Sequence, residues 1–442
     1  LRPPTNLLSL ASPLLLALLL IGPTNAPGAE PTKGAEAPSS VPSPDATALE
    51  LMPVAVPEPS ALAIQFHRTG NWIWALGVVW SLLVPALLLG TGISARIRDV
   101  AQRMGRTWYF TVGLYVVLWS ILMYAINLPL HFYRGYIRLH AYGLSNQTFA
   151  KWLTDSLKHA AVSAVVGAML AWVPYLLIRR SPRRWWSITT VLSIPFLFSV
   201  VLLKPIWVDP LFNDYGAMKD KVLEREILAL AERAGISGSR VYEVDMSVDT
   251  KLVNAQVTGL LGTKRIVLWD TLLDRLDHQE VLAVMGHEMG HYVLGHIPRS
   301  ILLSTLITLA GLFFVDRAGR WILARAHGRF GFDQLSDVAS VPLLLLLMQL
   351  SSLALVPIVN AYSRHQEHEA DRFALEVTRS NREAAEAFVK LQEENLAVPW
   401  PGWVYRVWRA SHPSIGERIE FCNSYRPWAT GQPLRYSRWI HR

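Results

Sequence analysis

Apolar runs long enough to cross a bilayer dominate this sequence. They fall at 71–93, 107–128, 160–178, 185–206, 299–315 and 339–359, each near the ~20 residues that a spanning helix needs. Trp72, Trp74, Trp108, Tyr109, Trp185 and Trp186 stand at the ends of these runs, where amphipathic rings settle at headgroup level. The pattern predicts six transmembrane helices. A shorter apolar run, Leu7 to Gly22, is followed by a Pro/Gly/Ala stretch from Pro23 to Pro31. It falls short of the ~20 residues of a span and reads as the core of a signal peptide, with a short retained anchor as the rival. Thr32 to Pro59 is dominated by Pro, Ala, Ser and Glu, the composition of a disordered linker.

Two polar stretches interrupt the apolar pattern, Asp209–His296 and Ala361–Arg442. In the first, Val222, Leu223, Ile227 and Leu230 recur at helical spacing until Gly235 stops them. Arg240–Val244 and Lys264–Leu268 have strand character, with Gly259 and Gly262 near a turn between them. Asp277 then precedes Glu280 by three residues, a capping-box spacing that opens another helix. The expected organisation is a signal peptide or anchor at 1–29, a linker at 30–68, a four-span membrane region at 69–208, and a peptidase region at 209–442 that includes the last two spans.

Composition narrows the class. Hydrophobic residues make up 51% of the 442 and charged residues 17%; a soluble domain carries about 25% charge, so a purely soluble enzyme is excluded. A disordered chain is excluded too, given 17 tryptophans. The net charge of +8 comes from arginines beside apolar runs, which suits a membrane surface and not a nucleic-acid groove. The single cysteine, Cys422, rules out an intramolecular disulfide framework and a thiolate-built zinc site.

The chemistry sits in the helix opened by Asp277, which contains Gly286-His287-Glu288-Met289-Gly290-His291. In an HExxH motif the two histidines share one helical face and can point at one ion. The glutamate between them is placed to take a proton from water. Val281, Leu282, Val284 and Met285 precede the motif, so it lies on a buried helix, where unpartnered imidazoles are costly. Catalytic zinc usually keeps three protein ligands. His296 comes one residue too early for the longer three-histidine motif and reads as structural or supporting. A better third ligand lies beyond two further spans, in Ser363-Arg364-His365-Gln366-Glu367-His368-Glu369-Ala370-Asp371. Glu367 and Asp371 share a face there, and one carboxylate can bind metal while the other orients a histidine. Spacing alone leaves Glu367 and Glu369 as alternatives, and a plain solvated helix face as the bland reading.

Taken together, the motifs resemble those of the integral-membrane zinc metalloproteases of the type-1 CAAX prenyl protease family, bacterial members included. The likeness runs from Leu128 to Ile419. It is carried by Gly143–Thr148 with Asp155 and Lys158, Asp209–Asn213, Asn254-Ala255 with Gly259, Lys264–Leu268, Asp270–Leu273, the HExxH helix, the Glu367–Asp371 segment, and His412-Pro413 with Glu417-Arg418. The resemblance implies that His287, His291 and Glu367 bind one zinc ion, that Glu288 is the general base, and that Asp371 supports a ligand. It implies that His412 and Arg418 face the reaction centre and that extended substrate lies along a strand at Asn254. Gln256 stands where relatives often carry an aromatic, which bears on the shape of the substrate groove, and the proline-rich arm has no counterpart.

The expectation is therefore a mainly α polytopic membrane bundle enclosing a chamber, with a small α+β zinc metalloprotease domain. It would be a monomeric, multi-pass membrane endopeptidase, of the inner membrane if the source is bacterial. Its substrates would be peptides or proteins, lipidated ones and CAAX-type C-terminal processing included. The rival is a binding or quality-control scaffold that has lost proteolysis. The side of the membrane is contested. Arginines 96, 98, 103 and 106, then 179, 180, 183 and 184, then 317, 320, 325 and 329 mark three loops as cytoplasmic. That places the peptidase region outside, whereas the resemblance implies a cytosolic opening.

Overall fold

The computed structural model describes residues 52–236, 238, 240–258 and 265–441. The Leu7–Gly22 run, most of the proline-rich arm, and Gly259 and Gly262 lie outside the described residues. Among the described residues, six helices are long and apolar enough to cross a membrane: Ala61–Gly90, Trp108–Ala141, Phe149–Arg180, Trp185–Leu211, His296–Ala326 and Val338–Thr378. Each contains one of the apolar runs or nearly all of it. Along the first helix, α1 (Ala61–Gly90), Leu76, Val79, Leu83 and Leu87 form a stripe that is 46–58% exposed. An apolar stripe of that kind is tolerated where lipid covers it.

The membrane bundle has its own core, with Tyr115, Trp119, Met123, Trp185, Val315 and Leu343 buried together. One end of it is knitted by polar contacts between loops. Arg98 on α2 (Ile93–Met104) pairs with Asp337 at 2.6 Å. The Tyr175 hydroxyl lies 3.1 Å from Ser340 Oγ, and Arg320 donates to the Pro182 carbonyl. The three arginine-rich loops thus gather at one end of the bundle.

The long connection between the fourth and fifth spans contains the expected helix and two strands, with two further strands added. Lys221–Arg233, here α7 after α3 (Trp108–Phe132), α4 (Phe149–Leu170), α5 (Trp172–Arg180) and α6 (Trp185–Leu203), buries Leu223, Ile227 and Leu230 and leaves Val222 exposed. Gly235 ends it with φ +71°, a conformation that costs other residues a Cβ clash. Strands β2 (Arg240–Val244), β3 (Ala255–Thr258) and β4 (Arg265–Trp269) form a sheet with a short β1 (Tyr215–Ala217), in the order β1-β2-β4-β3. β2 and β4 are parallel, and β3 pairs antiparallel with β4, so β3 is an edge strand. At three residues, β1 is too short to show a pattern.

After the sheet come α8 (His278–Val293) and α9 (His296–Ala326), followed by α10 (Val341–Thr378), whose C-terminal half runs into the peptidase region. Next are α11 (Asn381–Glu394), α12 (Trp403–Trp408) and α13 (Ile415–Ser424).

The expected linker departs from expectation at its end. α1 begins at Ala61 with Ser60 as its N-cap, inside the 30–68 stretch. The residues just before it lie against α11 and α13. Val54 exchanges two 2.9 Å hydrogen bonds with the Asn423 side chain, and Gln392 Nε2 donates to the Pro57 carbonyl at 2.8 Å. Proline-rich composition favours extended backbone, and extended backbone still offers carbonyls and an N–H to side chains placed to meet them.

Candidate active site

The site forms where α8 crosses α10. Both halves of the predicted capping box are present on α8, with Glu280 N–H donating to Asp277 Oδ1 at 2.9 Å and Asp277 N–H to Glu280 Oε2 at 2.8 Å. The crossing is close because small residues face each other. A Cβ at Gly290 would lie 3.1 Å from Ala370 Cα, and one at Gly286 would lie 3.3 Å from Ala374 Cα. Gly286 and Gly290 each precede a histidine of the motif. The close approach therefore brings His287 and His291 against the segment that carries Glu367.

His287, His291 and Glu367 each offer a ligand atom, and these atoms lie within 4.8 Å of one another. His287 Nε2 and His291 Nε2 are 3.1 Å apart, and they lie 3.2 and 3.4 Å from the two Glu367 oxygens. Glu367 Oε2 is buried with no hydrogen-bond partner. A buried carboxylate whose two oxygens each face a ring nitrogen, one of them without a hydrogen bond, fits a cation held between the three side chains. Glu369 points elsewhere, 3.2 Å from Arg299 and 3.5 Å from His296.

The free ring nitrogens are held from behind. His287 Nδ1 lies 2.7 Å from Asp371 Oδ1, which directs Nε2 toward the group. His291 Nδ1 lies 2.9 Å from His296 Nδ1, so His296 supports the second histidine as His296 in turn faces Glu369. Arg418 grips Asp371 with two hydrogen bonds, at 3.0 and 2.5 Å. Its Nη2 also lies 3.1 Å from His287 Nδ1. His412 Nε2 is 3.3 Å from Glu367 Oε1. One cavity has His287, Glu288, Asp371, His412, Arg418 and Asn254 in its wall. The Asn254 amide oxygen accepts from Ala255 N–H at 2.9 Å, at the head of edge strand β3.

Electrostatics follows from burial and neighbours. Burial and the Arg418 charge pull the His287 imidazole down, but the charge and hydrogen bond of Asp371, with the Glu367 contact, outweigh them and raise it to about 9. Burial raises the Glu288 carboxyl above its ordinary range, against the pull of nearby imidazoles. Burial pushes His412 down to about 4 and keeps it neutral near pH 7.

The motif around Gly143–Thr148 has a positional use. Ser145 bridges to Thr250, and Lys151 pairs with Asp155 at 2.9 Å and Asp249 at 2.8 Å. These contacts latch the start of α4 to the loop leading into β3. The role of Glu369 and Arg299 behind His296 was not legible in the sequence, because it depends on how α9 leaves the α8 turn.

A membrane bundle bearing this histidine–carboxylate group on crossed helices defines a membrane metalloprotease. Residues 65–214 match the family described as CAAX prenyl protease N-terminal, five membrane helices, and residues 217–426 match peptidase family M48. The chain is 36% identical over 357 residues to the uncharacterized metalloprotease YhfN of Bacillus subtilis (strain 168), covering 80% of this chain and 83% of that one. It is 30% identical to CAAX prenyl protease 1 homolog of Dictyostelium discoideum, covering 70% of each. The crystal structure of S. mikatae Ste24p shares the fold, with a TM-score of 0.68 at 23% identity over 80% of this chain and 87% of that one. The chain belongs to peptidase family M48, among the multi-pass membrane metalloproteases related to CAAX prenyl protease 1. A metal cofactor goes with that membership.

Proposed function

We propose that this protein is a zinc-dependent membrane endopeptidase in which His287, His291 and Glu367 hold the ion. The observation that carries the reading is the convergence of two ring nitrogens and a buried, unpartnered carboxylate oxygen on one point, beside a glutamate in the cavity wall. Zinc held there supplies Lewis acidity and an activated water. Glu288 accepts the proton of the attacking water and returns it to the leaving amine. His412, neutral and in the cavity wall, donates an N–H to the oxygen on which charge develops. Asp371 sets the tautomer of His287, and Arg418 keeps Asp371 ionised and in place. An extended substrate adds to the free edge of β3 near Asn254, which favours unfolded or C-terminal segments over folded protein, lipidated clients of CAAX type included.

The test combines metal and base. Purified protein is expected to carry about one zinc per chain, and chelation followed by zinc is expected to abolish and restore peptide cleavage. Glu288→Gln is expected to keep the metal and lose turnover, because an amide does not accept the water proton. Near wild-type cleavage by that variant would overturn the mechanism.

A further inference from the structure

The cavity that contains Glu288 runs on past the reaction centre and ends at an amide whose oxygen has no partner. Its long walls are α8 and α11. On α8, Val284 precedes Glu288 by one turn; on α11, Phe388 and Leu391 share a face with Asn395 at the C-cap. Two ion pairs fix the direction. Lys390 meets Glu280 at 2.6 Å and Arg275 meets Glu394 at 3.5 Å, so the end of α11 lies beside the first turn of α8. Glu280 stands eight residues before Glu288, about 12 Å along a helix. Asn395 therefore marks the end of the cavity away from His287 and Glu288.

Between the two ends the wall is apolar, with Leu272, Val284, Phe388 and Leu391. The cavity has about 100 Å³ of space, well beyond what one water needs. Asn395 is only 4% exposed, and its Oδ1 is buried without a hydrogen bond. The other amide in the wall, Asn254, is already engaged by the Ala255 N–H. Among the described residues, no further buried side-chain atom of this wall lacks a partner. A buried polar atom without a partner is costly, and Asn395 borders space that a ligand can enter. The turn presenting it is fixed. Leu396 holds φ +45°, in the left-handed region that favours glycine, and buries its side chain in the peptidase core.

We propose that Asn395 is a specificity-determining residue: the cavity takes a substrate side chain close to the scissile bond, and Asn395 selects one with an apolar body and a neutral hydrogen-bond donor at its tip. Gln and Tyr fit that description, with the length to cross the apolar section and an N–H or O–H to give. Met and Phe have similar shapes but leave the amide oxygen unpaired, the situation in which a polar site rejects an analogue. Lys and Arg would bring a charge to the wrong end, because the wall's carboxylates, Glu288 and Asp371, stand at the reaction centre. The proposal rests on the peptidase reading for its substrate, but its binding step is separable from turnover.

The test uses a synthetic peptide library and the full-length, zinc-loaded protein in detergent micelles, with cut sites read by mass spectrometry. At one position within two residues of the cut, Gln is expected to exceed Met, and Tyr to exceed Phe, about three- to tenfold, the scale of one neutral hydrogen bond. Asn395→Leu is expected to reverse both ratios at that position and to leave neighbouring positions and zinc content as they are. Asn395→Asp, nearly isosteric and so the safer variant for folding, is expected to move the preference to Lys and Arg. Equal ratios at every position in the wild type overturn the proposal. So do ratios that either variant leaves unmoved, the result if a bound water satisfies the amide. Peptides captured from the same library by the Glu288→Gln protein supply the second readout. If the wild type cuts nothing while captured peptides keep an Asn395-dependent excess of Gln and Tyr, the pocket stands and the peptidase reading falls. Capture with no such excess overturns the pocket as well.

Discussion

Replacing Gly290 by alanine tests whether the close crossing of α8 and α10 builds the metal site. The added Cβ would lie 3.1 Å from Ala370 Cα, 3.2 Å from Ala370 O and 3.2 Å from Phe373 Cβ, whereas carbon atoms in good contact sit ~3.5–4.0 Å apart. Two of these atoms are backbone, so relief requires the helices to part by some tenths of an ångström. Overpacking of this kind costs ~1–3 kcal/mol, and the better helix propensity of alanine returns ~1 kcal/mol. Net stability should therefore fall by only ~0–2 kcal/mol. The metal is less forgiving, because ligand distances must hold within about 0.2 Å. Zinc affinity, measured by competition with a chromophoric chelator, is expected to drop at least about tenfold, the scale seen when ligand support is disturbed. Gly286→Ala should be milder, since its nearest neighbour is the Thr378 methyl at 3.1 Å and the nearest backbone atom, Ala374 Cα, stands off at 3.3 Å. Unchanged zinc affinity in Gly290→Ala would refute the link between glycine packing and ligand geometry.

Three further outcomes are expected. Glu367→Ala should lower metal occupancy sharply in an elemental assay while Glu369→Ala leaves it nearly unchanged, because Glu369 faces Arg299 and His296; equal losses would remove the distinction. Without metal, His287 is raised from 6.5 to about 9, so its imidazolium stabilises the fold fully below 6.5 and that contribution is lost as pH rises through about 9. Zinc must displace that proton, so its apparent affinity should rise about tenfold per pH unit until about 9, and a flat profile in a chelator titration would contradict the coupling. The gathering of the three arginine-rich loops at one end of the bundle predicts an outward peptidase region by the positive-inside rule. Alkaline phosphatase fused after Arg442 should be active, and fluorescence from a GFP fusion confined to the cytoplasm would reverse the topology.

Much of the architecture was legible because its signals are local. Spans read as spans because ~20 apolar residues have few other stable uses. α8 read as a helix because Asp277 and Glu280 cap it through neighbouring backbone. His287 and His291 read as a pair because helical periodicity puts them on one face. The third ligand was different. By spacing, Glu367 and Glu369 were equal, and only the family likeness chose between them. The fold separates them through the crossing that turns Glu367 toward the histidines and Glu369 toward His296 and Arg299. The short strand β1, the docking of Val54 on Asn423 and the grip of Arg418 on Asp371 were equally out of reach. Each joins residues far apart in the chain, and no local periodicity encodes such a contact. It is decided by how closely helices can approach, which depends on glycines and alanines whose small size carries almost no pattern of its own.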